Sequence, residues 1–266
     1  MRLFLFFILF IVRFFIIIIF FFFWVFIFIV IIMTQKNFGT YILAIGPHPD
    51  DVEVGAWGIL AQTSATWKKN VILDLTASQL STYGDIVTRK TEAQQAAALL
   101  WVTQRSNLWL QDGVLTADDA TVALLVEQIR KYTPEIVVFP AAQDRHPDHE
   151  VTHQIVKKAL FYAWLVKYPA STLPTHKARL LLCYQIWHEF TPDVTIALGE
   201  EYFAKKMAAF DAYASQEKTN SWWREYLVAR HITQGRRIWT RYGEWFTLPC
   251  HGVGVADLDQ VMSWCF

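Results

Sequence analysis

Net charge is what this 266-residue chain most plainly lacks: 24 Lys and Arg are balanced by 24 Asp and Glu. A nucleic-acid binder needs a basic surface that displaces phosphate counterions, so the balance argues against that class of partner. Cysteine is scarce as well. The three residues Cys183, Cys250 and Cys265 are odd in number and show no C-x-x-C spacing. That speaks against a disulfide framework and against a thiolate metal cluster, and it suits a reducing compartment. No G-x-S-x-G run occurs, and no internal repeat or low-complexity linker follows Met33.

What the chain has in excess is apolar residues, 54% of the total, unevenly spread. Residues 3–32 contain twelve Phe and ten Ile, with Arg13 as the single charge. Outside that run the apolar share falls to about 49%, ordinary for a globular domain. The run exceeds the roughly 20 residues that span a bilayer, and the stretch from Phe14 to Ile32 suffices alone, so a membrane anchor is one expectation. A cleaved signal peptide fits poorly, because the run is long and no A-x-A-like site follows. The other expectation is a misassigned start: a Phe/Ile run resembles translated AT-rich sequence, and Met33 stands just past it as a natural start. The division is therefore a leader at 1–32 and one domain at 33–266. A cytoplasmic location is expected, or a membrane-anchored one if the leader is genuine.

Beyond the leader the pattern alternates. Short apolar runs at Tyr41–Ile45, Val71–Leu75 and Glu135–Phe139 read as buried strands, with a shorter strand at Asn107–Leu110. Helical segments are expected at Val52–Trp67, Ile86–Leu100 and Ala120–Tyr132, the last capped by Asp118 and Asp119 and stopped by Pro134. Further strands near Arg179–Trp187 and Val194–Ala197 precede helices near Glu200–Tyr213 and Trp222–Trp239. The expected fold class is α/β: a Rossmann-like, mostly parallel sheet flanked by helices.

In such sheets ligands bind outside the carboxyl ends of the strands. Two His/Asp clusters fall there: Gly46-Pro47-His48-Pro49-Asp50-Asp51-Val52-Glu53 after the first strand, and Asp144-Arg145-His146-Pro147-Asp148-His149 after Glu135–Phe139, with His153 beyond. Either alone could be a helix cap or a polar loop. His-Pro-Asp twice, each just past a strand end, points to a metal site at the carboxyl ends of the strands. Two imidazoles and a carboxylate leave a coordination position open, as catalytic zinc sites do. His48 and Asp51 can face one ion from a strand-to-helix turn, and His149 and His153 share a helix face. The spacing leaves open whether His146, His149 or His153 completes the set. Asp50 and Asp148 remain as carboxylates beside the metal, one a general base and the other an orienter of a histidine.

"HPDDVE" and "HPDHEVTH" together resemble the paired motif of the LmbE-like (PIG-L) zinc-dependent N-acetylglucosamine deacetylases, over nearly the whole chain after Met33. The stretch Leu75–Gly84 followed by Arg89, together with "RKTEAQQAAALL", "DRHPDHE" and "KKMAAFDAYASQ", is similar to the bacillithiol-pathway branch, which deacetylates N-acetylglucosaminyl-malate. The resemblance implies His48, Asp51 and His149 as ligands of one Zn2+ per chain, with Fe2+ also able to occupy them. It implies Asp50 as general base, and His146 as a charged imidazole that stabilises the oxyanion and protonates the leaving amine. Asp148 would tune His146, and Arg89 would hold substrate; His153 becomes a bystander. Two positions depart from the pattern: Pro47 replaces the usual alanine, and Tyr83 stands where a small polar residue is common.

Three functions follow from this. The first is a deacetylase of a small-molecule GlcNAc conjugate. The second is a membrane-anchored deacetylase of a GlcNAc glycolipid, tied to a genuine leader. The third is a non-catalytic metal- or sugar-binding module. A homo-oligomer is expected, with the tryptophans around Trp222-Trp223 serving the core, specificity or an interface. "HGVGVAD" at 251–257 does not sit between a strand and a helix, so it is no nucleotide site. The mixed-charge helix from Glu225 to Arg237 reads most simply as a solvated face.

Overall fold

A computed structural model describes residues 39–169, 171–217 and 221–249. The leader at 1–32, the segment 251–257, Cys250 and Cys265 lie outside the described residues. The order of elements is β1 (Thr40–Gly46), α1 (Asp51–Ala65), β2 (Asn70–Thr76), α2 (Ile86–Leu99), β3 (Gln104–Leu110), α3 (Asp119–Tyr132), β4 (Pro134–Pro140) and α4 (Pro147–Trp164). Then follow β5 (Leu180–Tyr184), β6 (Val194–Leu198), α5 (Glu200–Asp211), α6 (Ala214–Glu217), α7 (Ser221–Arg236) and β7 (Tyr242–Thr247). The described strands form one sheet in the order β3-β2-β1-β4-β5-β7-β6. Pairing is parallel from β3 through β5, and β7 runs antiparallel to both β5 and β6.

The apolar runs of β1 and β4 are continuous because both faces of the sheet are covered. Side chains alternate between faces: Ile42, Ala44, Ile136 and Val138 pack with α1, α5 and α7, around Trp57 and Tyr184. Leu43, Ile45, Val137 and Phe139 pack on the other face with α3 and α4, around Leu125, Ile129 and Val156. Asp118 caps α3 by accepting the Thr121 N–H at 2.8 Å, as the sequence suggests.

The sheet places the site by its connectivity. Crossovers from β1 run outward through β2 to β3 on one side and reach β4 and β5 on the other. The direction of winding reverses between β1 and β4, which opens a crevice at their carboxyl ends. The two His-Pro-Asp loops follow these two strands.

Three expectations need correction. β3 starts at Gln104, three residues before the anticipated Asn107. β7 was not anticipated; its Gly243 and Glu244 interrupt the apolar signal, yet both are buried, because the strand lies inside the sheet between β5 and β6. The Glu225–Arg237 segment is not simply a solvated face: Arg230, His231 and Gln234 are buried.

Candidate active site

The β1–α1 turn supplies His48, Asp50 and Asp51. Asp50, the residue before α1, has φ 114°, in the left-handed region that a non-glycine residue enters only at a cost of order 1–3 kcal/mol. Its side chain makes no capping hydrogen bond to the helix. The bland reading of His-Pro-Asp-Asp as a helix cap therefore fails for Asp50. Its carboxylate instead pairs with the Arg89 guanidinium of α2 at 2.7 Å. Asp51 turns back, accepting the His48 backbone N–H at 3.0 Å and facing His48 Nδ1 at 3.0 Å.

The β4–α4 loop supplies His146, Asp148 and His149. His149 Nε2 lies 3.4 Å from Asp51 Oδ1, and its Nδ1 faces Asp144 Oδ1 at 2.9 Å. The three imidazoles converge, with ring centroids 4.9 Å apart for His48 and His146, 5.5 Å for His48 and His149, and 4.7 Å for His146 and His149. Two sets of possible ligand atoms lie within 4.8 Å of one another: His48, Asp51 and His149, and His48, His146 and Asp148.

Other expected residues have unexpected neighbours. The Asp148 carboxylate accepts the Gly113 N–H at 2.7 Å and faces His48 Nε2 at 3.3 Å, while its own backbone N–H donates to His146 Nδ1 at 3.2 Å. Arg89 is buried; besides Asp50 it donates to the Pro49 carbonyl, and its Nε and Nη1 have no hydrogen-bond partner. His153 stands apart behind β4, with Nδ1 bound to the Pro140 carbonyl at 2.9 Å and its ring against Phe139.

Two site residues escaped the sequence reading. Asp112, just after β3, faces His48 Nε2 at 3.0 Å and accepts the Leu80 N–H. No motif marks it; its only signal is its place beyond a strand's carboxyl end. Asp144 stands inside the quoted cluster but received no role. It orients His149 and accepts the N–H groups of His146 and Trp187.

Electrostatics set the character of the site. Burial opposes charge on His48, but its hydrogen bonds to the carboxylates of Asp112, Asp148 and Asp51 outweigh it and hold its pKa well above the ordinary imidazole value. His149 is likewise opposed by burial, and Asp51 and Asp144 raise it to about 9. His146 moves the other way, lowered by burial and by the positive charges of His48 and His149. Burial lifts Asp50 to about 6 against the pull of Arg89. Buried carboxylates thus outnumber the permanent cations facing them. An oxygen and imidazole donor set in a negative, buried crevice fits a divalent cation, whose binding would displace the protons on His48 and His149. The cleft these residues line has a volume of about 470 Å³.

Comparison with known proteins agrees with this geometry. Residues 43–160 match the family model described as PIG-L: GlcNAc-PI de-N-acetylase. The uncharacterized deacetylase YaiS of Escherichia coli (strain K12) is 28% identical over 199 residues, covering 69% of this chain and 96% of the relative. Diacetylchitobiose deacetylase of Thermococcus kodakarensis is 25% identical over 219 residues, covering 76% of this chain and 80% of the relative. Among solved structures, the conserved protein TT1542 from Thermus thermophilus aligns with a TM-score of 0.77 at 29% identity, over 82% of this chain and 98% of that one. Residues 43–160 thus carry a PIG-L (LmbE-like) family domain. It is an enzyme of the deacetylase class, an amide hydrolase, and every site residue anticipated from the sequence falls inside the matched segment.

Proposed function

We propose that this chain removes the acetyl group from an N-acetylglucosaminyl conjugate, and that the conjugate is N-acetylglucosaminyl-malate of bacillithiol biosynthesis. The observation that carries the reaction is the convergence of His48, Asp51 and His149 with Asp50 and His146 on one cleft. Its volume is in the range of small-molecule sites. The finer assignment is supported by the branch-like stretches, all of which line the cleft: Ser78 and Thr82 from the loop after β2, Arg89 from α2, Asp211 at the end of α5, and Tyr213 and Gln216 beyond it.

His48, Asp51 and His149 are the favoured metal ligands over His48, His146 and Asp148. All three are buried, His149 is held by Asp144 through its far nitrogen, and the Asp148 carboxylate is already engaged by Gly113. Zinc, or iron(II), bound there would supply Lewis acidity to the attacking water and the acetamide carbonyl.

The chain's own groups do the rest. Asp50, at about 6, is matched to removing a proton near neutrality, and Arg89 steadies its carboxylate. The Asp148 N–H occupies Nδ1 of His146, which leaves the proton on Nε2 when the ring is neutral. That N–H donates to the oxygen on which negative charge develops, a hydrogen bond that strengthens in the transition state. The lowered pKa of His146 favours this neutral donor over the charged imidazole that the resemblance implies. Asp148 then serves through its backbone and through His48. Arg89, which lines the cleft beside Asp50, is the residue placed to hold substrate.

A second reading rests on the apolar run at 3–32 and on the glycolipid named in the family description: a deacetylase of a GlcNAc glycolipid, membrane-anchored through residues 3–32. No helix among the described residues is long and apolar enough to cross a membrane. Acetate release from N-acetylglucosaminyl-malate, a GlcNAc-phosphatidylinositol and diacetylchitobiose, each with and without a chelator, separates the readings. Chelator-sensitive turnover of the malate conjugate in preference to the others is expected. Preference for the glycolipid would overturn the finer assignment, and zinc binding without turnover of any GlcNAc conjugate would overturn the reaction.

A further inference from the structure

A buried charged cluster outside the site lies behind the helix that presents it. Helix α1 is broken at Ala56, whose φ of −136° is not helical. In an unbroken helix the Gly58 N–H would donate to the Val54 carbonyl and the Ile59 N–H to that of Gly55. Here the Gly58 and Ile59 N–H groups donate to the two carboxylate oxygens of Glu244, on β7, at 2.8 and 2.9 Å. The Val54 carbonyl accepts instead from Lys206 Nζ on α5 at 2.9 Å and from Arg230 on α7 at 2.7 Å. Lys206 and Glu244 close the arrangement with a direct pair at 2.6 Å, both 1% exposed.

An ion pair is thus inserted into the helix ladder. Glu244 caps the second segment of α1 at its N-terminus, where a carboxylate is favoured, and Lys206 and Arg230 satisfy the end of the first segment. Gly58 makes room: a Cβ there would meet the Glu244 carboxyl carbon at 2.8 Å and the Leu198 methyls at 2.6 Å. The link to the site is short. The Val54 N–H donates to the Asp50 carbonyl at 3.0 Å, so one peptide unit away from the ion pair stands the residue held at φ 114°.

We propose that Glu244 and Lys206 are positioning residues which, by pinning the break in α1 at Val54, Gly58 and Ile59, fix the first turn that carries Asp50 and Asp51. The inference rests on the reading of Asp51 as a metal ligand and Asp50 as the base. It assigns β7, at the far side of the sheet, a part in the chemistry.

The test compares wild type with Glu244→Gln, with the pair Glu244→Gln/Lys206→Met, and with Gly58→Ala. The paired variant leaves neither charge buried alone, so it retains the fold where a single change fails. Two readouts are independent of turnover: zinc affinity by chelator competition, and amide hydrogen exchange of residues 51–59 against that of α4. The expected result is a loss of about tenfold in zinc affinity, the lower end of the effect of outer residues on metal sites, with faster exchange confined to 51–59. Gly58→Ala should follow the same pattern, although alanine is the better helix former and would stabilise an ordinary helix. Folded variants with zinc affinity within twofold of wild type and unchanged exchange would overturn the proposal. Wild-type protein that binds zinc but releases no acetate would instead count against the proposed function and leave the affinity comparison standing.

Discussion

Two histidines of this molecule, each buried against a carboxylate, respond in opposite ways. His149, in the crevice between β1 and β4, is raised to about 9 by Asp51 and Asp144 despite its burial. His231, on α7, is lowered to about 4 by burial and by the charge of Lys206, although Glu244 lies 3.9 Å away. The difference is in charge balance. Glu244 is already paired with Lys206, so the antiparallel side of the sheet is neutralised within itself. In the crevice Asp51, Asp112, Asp144 and Asp148 face imidazoles and no permanent cation, so positive charge must be supplied there. A buried excess of carboxylates is a costly arrangement unless a cation compensates it. The crevice is built to receive an ion, and the antiparallel side to hold a helix.

The largest expected effect breaks the receiving side. His149→Ala should lose bound zinc, and acetate release should fall to background; full zinc occupancy would discredit the ligand set. Asp50→Asn should keep zinc yet lose about 10²–10⁴ in turnover, the usual span for a positioned proton-transfer group. Unchanged turnover would remove Asp50 from the mechanism. Asp144→Asn should weaken zinc binding by about 10–100-fold, because it fixes the far nitrogen of His149; an unaltered affinity would show that His149 needs no such support.

The holding side is sharpened by acid. His231 at about 4 and Glu244 at about 2 both lie below their ordinary values of 6.5 and 4.5, so the unfolded chain takes up their protons first as pH falls. Their contribution is whole above about pH 6.5 and is lost progressively toward pH 2, by up to about 1.4 kcal/mol per pH unit for each group. Denaturant unfolding between pH 7 and 4 should show that loss, and replacing His231 with Gln should flatten its upper part. An equally steep decline in the His231→Gln protein would assign the loss to other groups. The smallest effect is expected at Arg241 and Glu200, an exposed pair at 2.7 Å: exchanging either for Gln should leave the melting temperature within error of wild type.

The parallel half was legible because its signals are local. Tyr41–Ile45 and Glu135–Phe139 are continuous apolar runs, and both are followed by His-Pro-Asp, so strand and site announce each other. Asp112 was not legible, since one aspartate after a weak strand has no pattern to mark it. Glu244 and Lys206 were harder still. A glutamate between Gly243 and Trp245 reads as a turn, and a lysine beside Lys205 reads as surface, until the sheet brings them together at the break in α1. Gly58, inside a segment that reads as helix, was the one trace of that contact: a Cβ there would meet the Glu244 carboxyl carbon at 2.8 Å.

The most direct test of the account is acetate release by chelator-stripped protein as zinc is added back. Release that is absent at the start, rises in proportion to added zinc and levels off at one equivalent per chain is the predicted result. Undiminished release by the stripped protein, or none at full zinc occupancy on any GlcNAc conjugate, would contradict it.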